Sequence, residues 1–319
     1  MDKVLIFGSS GFVGGYLSKE LKRHEYQVWG SDLAPRGSDS DIQDSLDGFY
    51  LADILNEDEV QDIILKVEPD IVINLAAVSS VGKSWNIPQK TMRINVEGAI
   101  NILESVRKMK KYPKVLLIGS SEEYIDSSSA MNEDTPQDGN NPYGISKIAQ
   151  EQIARIYRGR YRIPVYYVRA FNHTGIGQNI NFVLPSFCYS VAEIESSKRD
   201  DEIRVGNLSI ERDFSDVRDV VRAYRMILEK GDPSRIYNIG SGKAYKLSEL
   251  LDYIISFSSR EIAVVRDCAK IRVYENQKIL CDNTRIRSEI GWNPEHNIFE
   301  TLKEMYQYYL AGITRQKND

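Results

Sequence analysis

One stretch near the N-terminus limits the fold more than any other. Lys3-Val4-Leu5-Ile6-Phe7 runs directly into Gly8-Ser9-Ser10-Gly11-Phe12-Val13-Gly14. A short apolar run bounded by glycine reads as a strand buried on both faces, as in a parallel sheet. A helical pattern begins at Phe12 and continues to about Arg23. At a strand-to-helix turn the first glycines let the backbone bend tightly and approach a pyrophosphate, and the third lets helix pack closely on strand. The opening of the helix then offers free N–H groups and a positive dipole end to phosphate oxygens. Gly8, Gly11, Phe12, Val13 and Gly14 are therefore candidate contacts for a dinucleotide.

The rhythm that follows supports this start. Gln27–Ser31 reads as a second strand ending at Asp32, where an acidic side chain suits an adenosine ribose hydroxyl. A carboxylate there favours NAD over NADP, because it repels a 2′-phosphate, although Arg36 nearby offsets the repulsion. Phe49–Ile54 reads as a third strand that brings Asp53 and Ile54 towards the adenine. Helix is expected over Glu57–Val67. A fourth strand, Asp70–Ala77, ends in Leu75, Ala76 and Ala77, where small residues admit a cofactor closely. Ser79–Trp85 reads as a polar loop and Gln89–Met109 as one long helix, with Asn95 inside it holding local backbone or water. Lys114–Gly119 and Pro164–Arg169 complete six strands alternating with helices. That alternation predicts an α/β fold with a Rossmann-like, doubly wound parallel sheet.

Ligands of such sheets bind beyond the carboxyl ends of the strands. Ser120 and Glu122 stand there, just after the fifth strand. Further on, Asn141-Pro142 reads as a helix start, with Asn as cap and Pro where a missing N–H costs nothing. Tyr143 and Lys147 follow at i and i+4, on one helix face. An ammonium beside a phenol favours the phenolate, so the Tyr143 pKa is expected to fall towards neutrality. Tyr143 then becomes a candidate general acid/base and Lys147 its electrostatic partner. Spacing alone proves little, since Tyr274 and Lys278 share it without comparable surroundings.

After Arg169 the pattern turns irregular. Helices are expected over Phe182–Ser196, from about Asp219 to Lys230, over Leu247–Ser258 and over Ile298–Tyr309, with strands at Glu202–Gly206 and Arg235–Gly240. The expected organisation is a dinucleotide-binding domain of residues 1–169 plus about 214–240, and a smaller interleaved α/β substrate-binding domain of about 170–213 plus 241–319. A net charge of −5 without a Lys/Arg block argues against a nucleic-acid partner. No apolar run reaches membrane-spanning length. The three cysteines have no metal spacing and no signal segment is apparent, which predicts a reducing cytoplasm. The three scattered histidines suggest neither a metal site nor a His-based triad.

The chain resembles the extended short-chain dehydrogenase/reductase family. The resemblance rests on Gly8-x-x-Gly11-x-x-Gly14, Asp53, Leu75-Ala76-Ala77, Ser120 and Tyr143-x-x-x-Lys147, which occur in family order over nearly the whole chain. It implies a Ser–Tyr–Lys active site, NAD(P)H as cofactor and a nucleotide-sugar substrate. A homodimer built from two long helices per subunit, here Gln89–Met109 and Tyr143–Arg160, is also implied. Arg169–Gly175, Asn181-Phe182, Val205–Leu208 with Arg212-Asp213, and the block from Arg272 to Asp282 are similar to the GDP-mannose branch. That branch implies a GDP-sugar bound by Asn172, Asn181, Arg212, Arg272 and Glu275. The reaction it implies is reduction of the C4 ketone of GDP-4-keto-6-deoxy-D-mannose. Glu122 keeps open a 4,6-dehydratase, in which it would be the eliminating base, and a 4-epimerase is a further alternative. Asp32 and the segment from Arg212 to Tyr224 favour the reductase. A non-catalytic cofactor sensor on the same fold is disfavoured, because Tyr143 and Lys147 are both present.

Overall fold

The computed structural model describes residues 1–35, 45–270 and 276–318. The first half alternates as expected: β1 (Lys3–Phe7), α1 (Phe12–Arg23), β2 (Gln27–Asp32), β3 (Gly48–Leu51), α2 (Glu57–Val67) and β4 (Ile71–Asn74). Then come α3 (Val81–Asn86), α4 (Pro88–Met92), α5 (Gly98–Arg107), β5 (Lys114–Ser120), α6 (Pro142–Tyr161) and β6 (Val165–Ala170). The second half contains β7 (Asn172–Thr174), α7 (Val183–Glu195), β8 (Glu202–Val205), β9 (Glu211–Asp216), α8 (Val217–Lys230) and β10 (Ile236–Ile239). It closes with β11 (Ala244–Lys246), α9 (Leu247–Ile255), β12 (Ala263–Arg266), β13 (Lys278–Ile279), α10 (Thr284–Ile290) and α11 (Ile298–Asn318).

Among the described residues the central sheet has seven strands, in the order β10-β6-β5-β4-β1-β2-β3. Every pairing in it is parallel. Alternation along β1 shows why both faces are covered. Val4 and Ile6 point into a core with α1 and α8, while Leu5 and Phe7 point into a second core with α2 and α5. Strand order reverses between β1 and β4, which creates a crevice at their carboxyl ends. A third core joins α7, β8, α9 and α11 in the smaller lobe. There β9 pairs with β7, β11 and β13, and β8 pairs with β12.

Three expectations need correction. The helix expected over Gln89–Met109 is split by a π-turn at Arg93–Glu97. Asn95 sits in that turn and binds the Val78 backbone on both sides, accepting from its N–H at 2.8 Å and donating to its C=O at 3.1 Å. The supposed loop at Ser79–Trp85 contains helix α3, whose cap is Ser80, accepting from the Lys83 N–H at 3.2 Å. Finally, the 241–319 segment is not wholly a part of the second lobe. Ile286 and Ile290 of α10 and the fully buried Trp292 pack in the α1/α8 core, and Trp292 Nε1 donates to the Asp219 carbonyl at 3.0 Å. Their apolar surfaces find a larger core against α8 than the small lobe offers. No helix among the described residues is long and apolar enough to cross a membrane.

Candidate active site

A cleft of about 780 Å³ lies between the carboxyl ends of the central strands and the smaller lobe. Its floor is the glycine turn. Gly8 has φ +82°, and a Cβ there would sit 2.6 Å from the Ala76 nitrogen. A Cβ on Gly14 would sit 2.4 Å from the Ser9 carbonyl oxygen. Glycine is therefore required at both positions, by left-handed backbone at the first and close helix–strand approach at the second. Gly11, Phe12 and Val13, which open α1, face the cleft with Leu75 and Ala77. Asn74, at the end of β4, is a candidate contact that the sequence reading does not pick out. It is buried, its Oδ1 accepts from the Ala76 N–H at 3.1 Å, and its Nδ2 has no partner among the described residues. A buried, unused amide donor beside a helix N-terminus is a good fit to a group rich in acceptor oxygens, such as a dinucleotide pyrophosphate or ribose.

Four expected cofactor residues lie outside the cleft lining. Asp32 accepts from the Ser10 N–H at 3.0 Å and the Leu33 N–H at 2.8 Å, so it braces the glycine turn. Asp53 accepts from the Leu55 N–H at 2.9 Å. Ile54 turns its side chain into the core against Gly98, and Ala76 backs onto Gly8. Arg36 lies outside the described residues.

Ser120, Glu122, Tyr143 and Lys147 all line the cleft. Ser120 ends β5 and caps a short 3₁₀ turn, its Oγ accepting from the Glu122 N–H at 3.2 Å. Asn141 caps α6 by accepting from the Gly144 N–H at 2.9 Å, and its Nδ2 donates to Glu122 Oε2 at 3.0 Å. A Cβ on Gly144 would lie 2.3 Å from the Glu122 carbonyl, so the start of α6 is pressed against the end of β5. This contact brings Tyr143 to Ser120.

The electrostatics differ from expectation. Burial raises the Tyr143 pKa above its ordinary value, the hydrogen bond with Ser120 opposes that, and the charges of Glu123 and Glu122 reinforce it. The expected fall is absent because Lys147 does not reach the phenol. Its Nζ is 5.9 Å from the Tyr143 ring centroid and donates instead to the Ile118 carbonyl at 2.7 Å and Gln150 Oε1 at 3.3 Å. Burial lowers the Lys147 amine to about 8, and the Glu123 charge pulls it back up. A polar chain supports it: Gln150 donates to the Asn95 carbonyl at 2.9 Å, and Asn95 donates to Ser146 Oγ at 2.8 Å.

On the lobe side, Asn172, Asn181 and Arg212 line the cleft. Asn172 lies on β7 with its Nδ2 buried and unpartnered among the described residues. Arg212, on β9, is buried and donates to the Glu211 carbonyl at 2.9 Å. Arg272 and Glu275 lie outside the described residues. The structure adds Arg204, Asn207, Lys270 and Tyr224 to the wall. Arg204 and Lys270 come from segments far apart in sequence, and no local pattern marks them. His173 stacks on Phe12 with centroids 6.5 Å apart, and burial lowers its pKa, which keeps the ring neutral.

Residues 5–305 match the family described as GDP-mannose 4,6 dehydratase. The chain is similar to the GDP-6-deoxy-D-mannose reductase of Pseudomonas aeruginosa, with 28% identity covering 99% of each chain. It is 26% identical to the GDP-6-deoxy-D-talose 4-dehydrogenase of Aggregatibacter actinomycetemcomitans, covering 98% of this chain and 99% of that one. A solved structure of RMD from Pseudomonas aeruginosa complexed with NADPH superposes with a TM-score of 0.83 at 26% identity, covering 98% of this chain and 100% of that one.

Proposed function

The chain belongs to the GDP-mannose 4,6 dehydratase family, and from that premise we propose that it is an NAD(P)H-dependent reductase of GDP-4-keto-6-deoxy-D-mannose, with GDP-D-rhamnose as product. The observation that carries this reading is the contact of Ser120 with Tyr143 in a cleft floored by the glycine turn. Relatives named as a reductase and a dehydrogenase of GDP-6-deoxy sugars, and a neighbour complexed with NADPH, support the same choice.

Gly8, Gly11–Gly14 and Asn74 would hold NAD(P)H, which would supply the hydride for C4. Tyr143 gives its phenolic proton to the C4 oxygen, so ketone becomes alcohol with atoms and charge balanced. Ser120 hydrogen-bonds that oxygen and orients it. Lys147 would hold the cofactor ribose, and its positive charge near the phenol would favour ionisation of Tyr143. Arg212 meets the diphosphate with a guanidinium fork, and Asn172 and Asn181 supply neutral hydrogen bonds. Arg272 and Glu275 belong to the same proposed contact set.

Glu122 favours a second reading. Asn141 holds its carboxylate in the cleft, where it would serve as the base of a 4,6-dehydration. One experiment separates the two. The protein is offered GDP-4-keto-6-deoxymannose with NADH or NADPH, and separately GDP-mannose with NADP. Loss of nicotinamide absorbance only in the first mixture, with a 6-deoxyhexose product, is the expected outcome. Consumption of sugar from GDP-mannose alone would overturn the reductase.

A further inference from the structure

Directly behind Ser120 lies a buried charged cluster that the reaction scheme does not use. Glu123 and Glu151 are both completely buried. Arg169 is the buried cation between them; its Nη1 donates to the Glu133 carbonyl at 3.1 Å, and its short carboxylate contacts go to Glu151. Its Nε donates to Glu151 Oε2 at 2.9 Å and its Nη2 lies 2.8 Å from the same oxygen. Arg155 takes the other Glu151 oxygen at 2.6 Å from the surface side. Glu123 is 3.5 Å from Arg169, so it is the weakly paired carboxyl.

Hydrogen counting leads to the same residue. Tyr167 has one hydroxyl proton but two neighbours, the Lys147 carbonyl at 2.8 Å and Glu123 Oε1 at 3.1 Å. A carbonyl only accepts, so if Tyr167 serves it, the Glu123 contact needs a proton from Glu123. Gln137 Nε2 touches Glu123 Oε2 at 2.9 Å and Glu151 Oε2 at 3.0 Å, so the two carboxyl oxygens converge. Two buried carboxyls this close cannot both ionise cheaply. Glu123 is also tied to the reacting groups. It accepts from the Ser120 N–H at 2.7 Å, and a Cβ on Gly119 would lie 2.3 Å from its Oε1.

We propose that Glu123 keeps a proton at neutral pH, held on it by the Glu151 carboxylate alongside, and is a positioning residue that fixes Ser120 and sets the charge felt by Tyr143 and Lys147. The reaction-linked half of this rests on the reductase reading above. The groups facing Glu123 are Tyr143, Lys147 and Glu151 from α6, Tyr167 and Arg169 from β6, and Gln137 from the preceding loop; beside its own turn, Glu122 acts on Tyr143 and Tyr124 lies under Arg169. Burial, with the Glu151 charge beside it, pushes the Glu123 carboxyl up to about 8, while Arg169 pulls it down. A neutral Glu123 leaves the Tyr143 phenol able to release its proton. An ionised Glu123 makes that phenol a weaker acid and holds the Lys147 amine protonated.

Glu123→Gln tests this on the full chain, because the amide still accepts from Ser120 but never ionises. Infrared spectra near neutral pH need no substrate. A protonated-carboxyl band is expected in the wild type and lost in both Glu123→Gln and Glu151→Gln, since Glu123 alone with Arg169 would ionise. Titration of the Lys147 ε-carbon by NMR, assigned with Lys147→Met, should move to lower pH in Glu123→Gln. With GDP-4-keto-6-deoxymannose and NADPH, Glu123→Gln should keep KM and retain kcat within about tenfold, with the alkaline fall in kcat moved to lower pH. Glu123→Leu loses the Ser120 contact and should lose more kcat than Glu123→Gln. A carboxyl band unchanged in Glu123→Gln overturns the proton on Glu123. An unmoved Lys147 titration overturns the coupling. Absence of any sugar reduction by the wild type would fail the reductase reading, while the two spectroscopic results still decide Glu123.

Discussion

Tyr143 and Lys147 share a helix face, yet the ammonium is turned away from the phenol and towards the Ile118 carbonyl. Spacing fixes which side chains are neighbours, whereas the hydrogen-bond acceptor nearby fixes where a flexible amine points. Two expectations follow for these residues. Tyr143→Phe removes the proton donor and leaves the glycine turn untouched. Turnover should fall by roughly 10²–10⁴-fold with cofactor affinity unchanged, as read by nicotinamide kinetics and by cofactor fluorescence titration. Lys147 makes a prediction about stability. Its folded value of about 8 lies below the ordinary 10.5, so between these limits the unfolded chain binds more protons than the folded one. Stability must then rise with pH across that window. The unfavourable contribution is fully present below the folded value and relieved above the unfolded one, and is on the order of 3 kcal/mol for a shift of this size. Urea unfolding at a series of pH values should show this rise in the wild type relative to Lys147→Met.

At the scale of elements, the start of α6 carries most of the site. Asn141 and Pro142 set where the helix begins, and that position decides that Tyr143 meets Ser120. Asn141→Ala should cost about 1 kcal/mol of stability in denaturant titration, the usual loss for an N-cap. It should also reduce turnover, because the cap fixes the start of α6 that brings Tyr143 to Ser120. This cap was legible in the sequence because capping is local, and so were the glycine turn and the six strands alternating with helices. What escaped were features set by distant partners. The π-turn at Arg93–Glu97 exists because Asn95 reaches Val78, seventeen positions back. β7 and β13 are too short to show a period and take their form from pairing with β9. Asn74 reads as a strand residue in an apolar run, and what marks it as a candidate contact is an Nδ2 without a partner among the described residues. The direction of the Tyr143 shift was misread for the same reason, since burial depends on the whole fold and outweighs a neighbour four positions along.

For the whole molecule, the sheet reversal between β1 and β4 puts the cofactor floor and the Ser120–Tyr143 pair at one end, where the smaller lobe closes over them. The opposite side of α6 presents a different surface. Ala154 and Tyr157 face the core, while Ile145 and Ile156 are 49% and 57% exposed. These two are eleven positions apart, about three helical turns, so they share a stripe. The neighbouring α3 and α4 pack against α6 and add exposed Trp85 and Met92. Apolar groups left in water along adjoining helices are the usual mark of a protein contact. The homodimer implied by the sequence resemblance would cover them, since a two-fold axis buries the same stripe from both copies at once. Ile156→Glu tests this without threatening the core, because the side chain is exposed in the single chain. Two copies of the mutated stripe would bring like charges together in the interface. Sedimentation of the wild type should then report a dimer, and Ile156→Glu should fall to the single-chain mass of 36.4 kDa with its melting transition intact. A wild type that already sediments at the single-chain mass would refute the dimer and leave the stripe needing another partner.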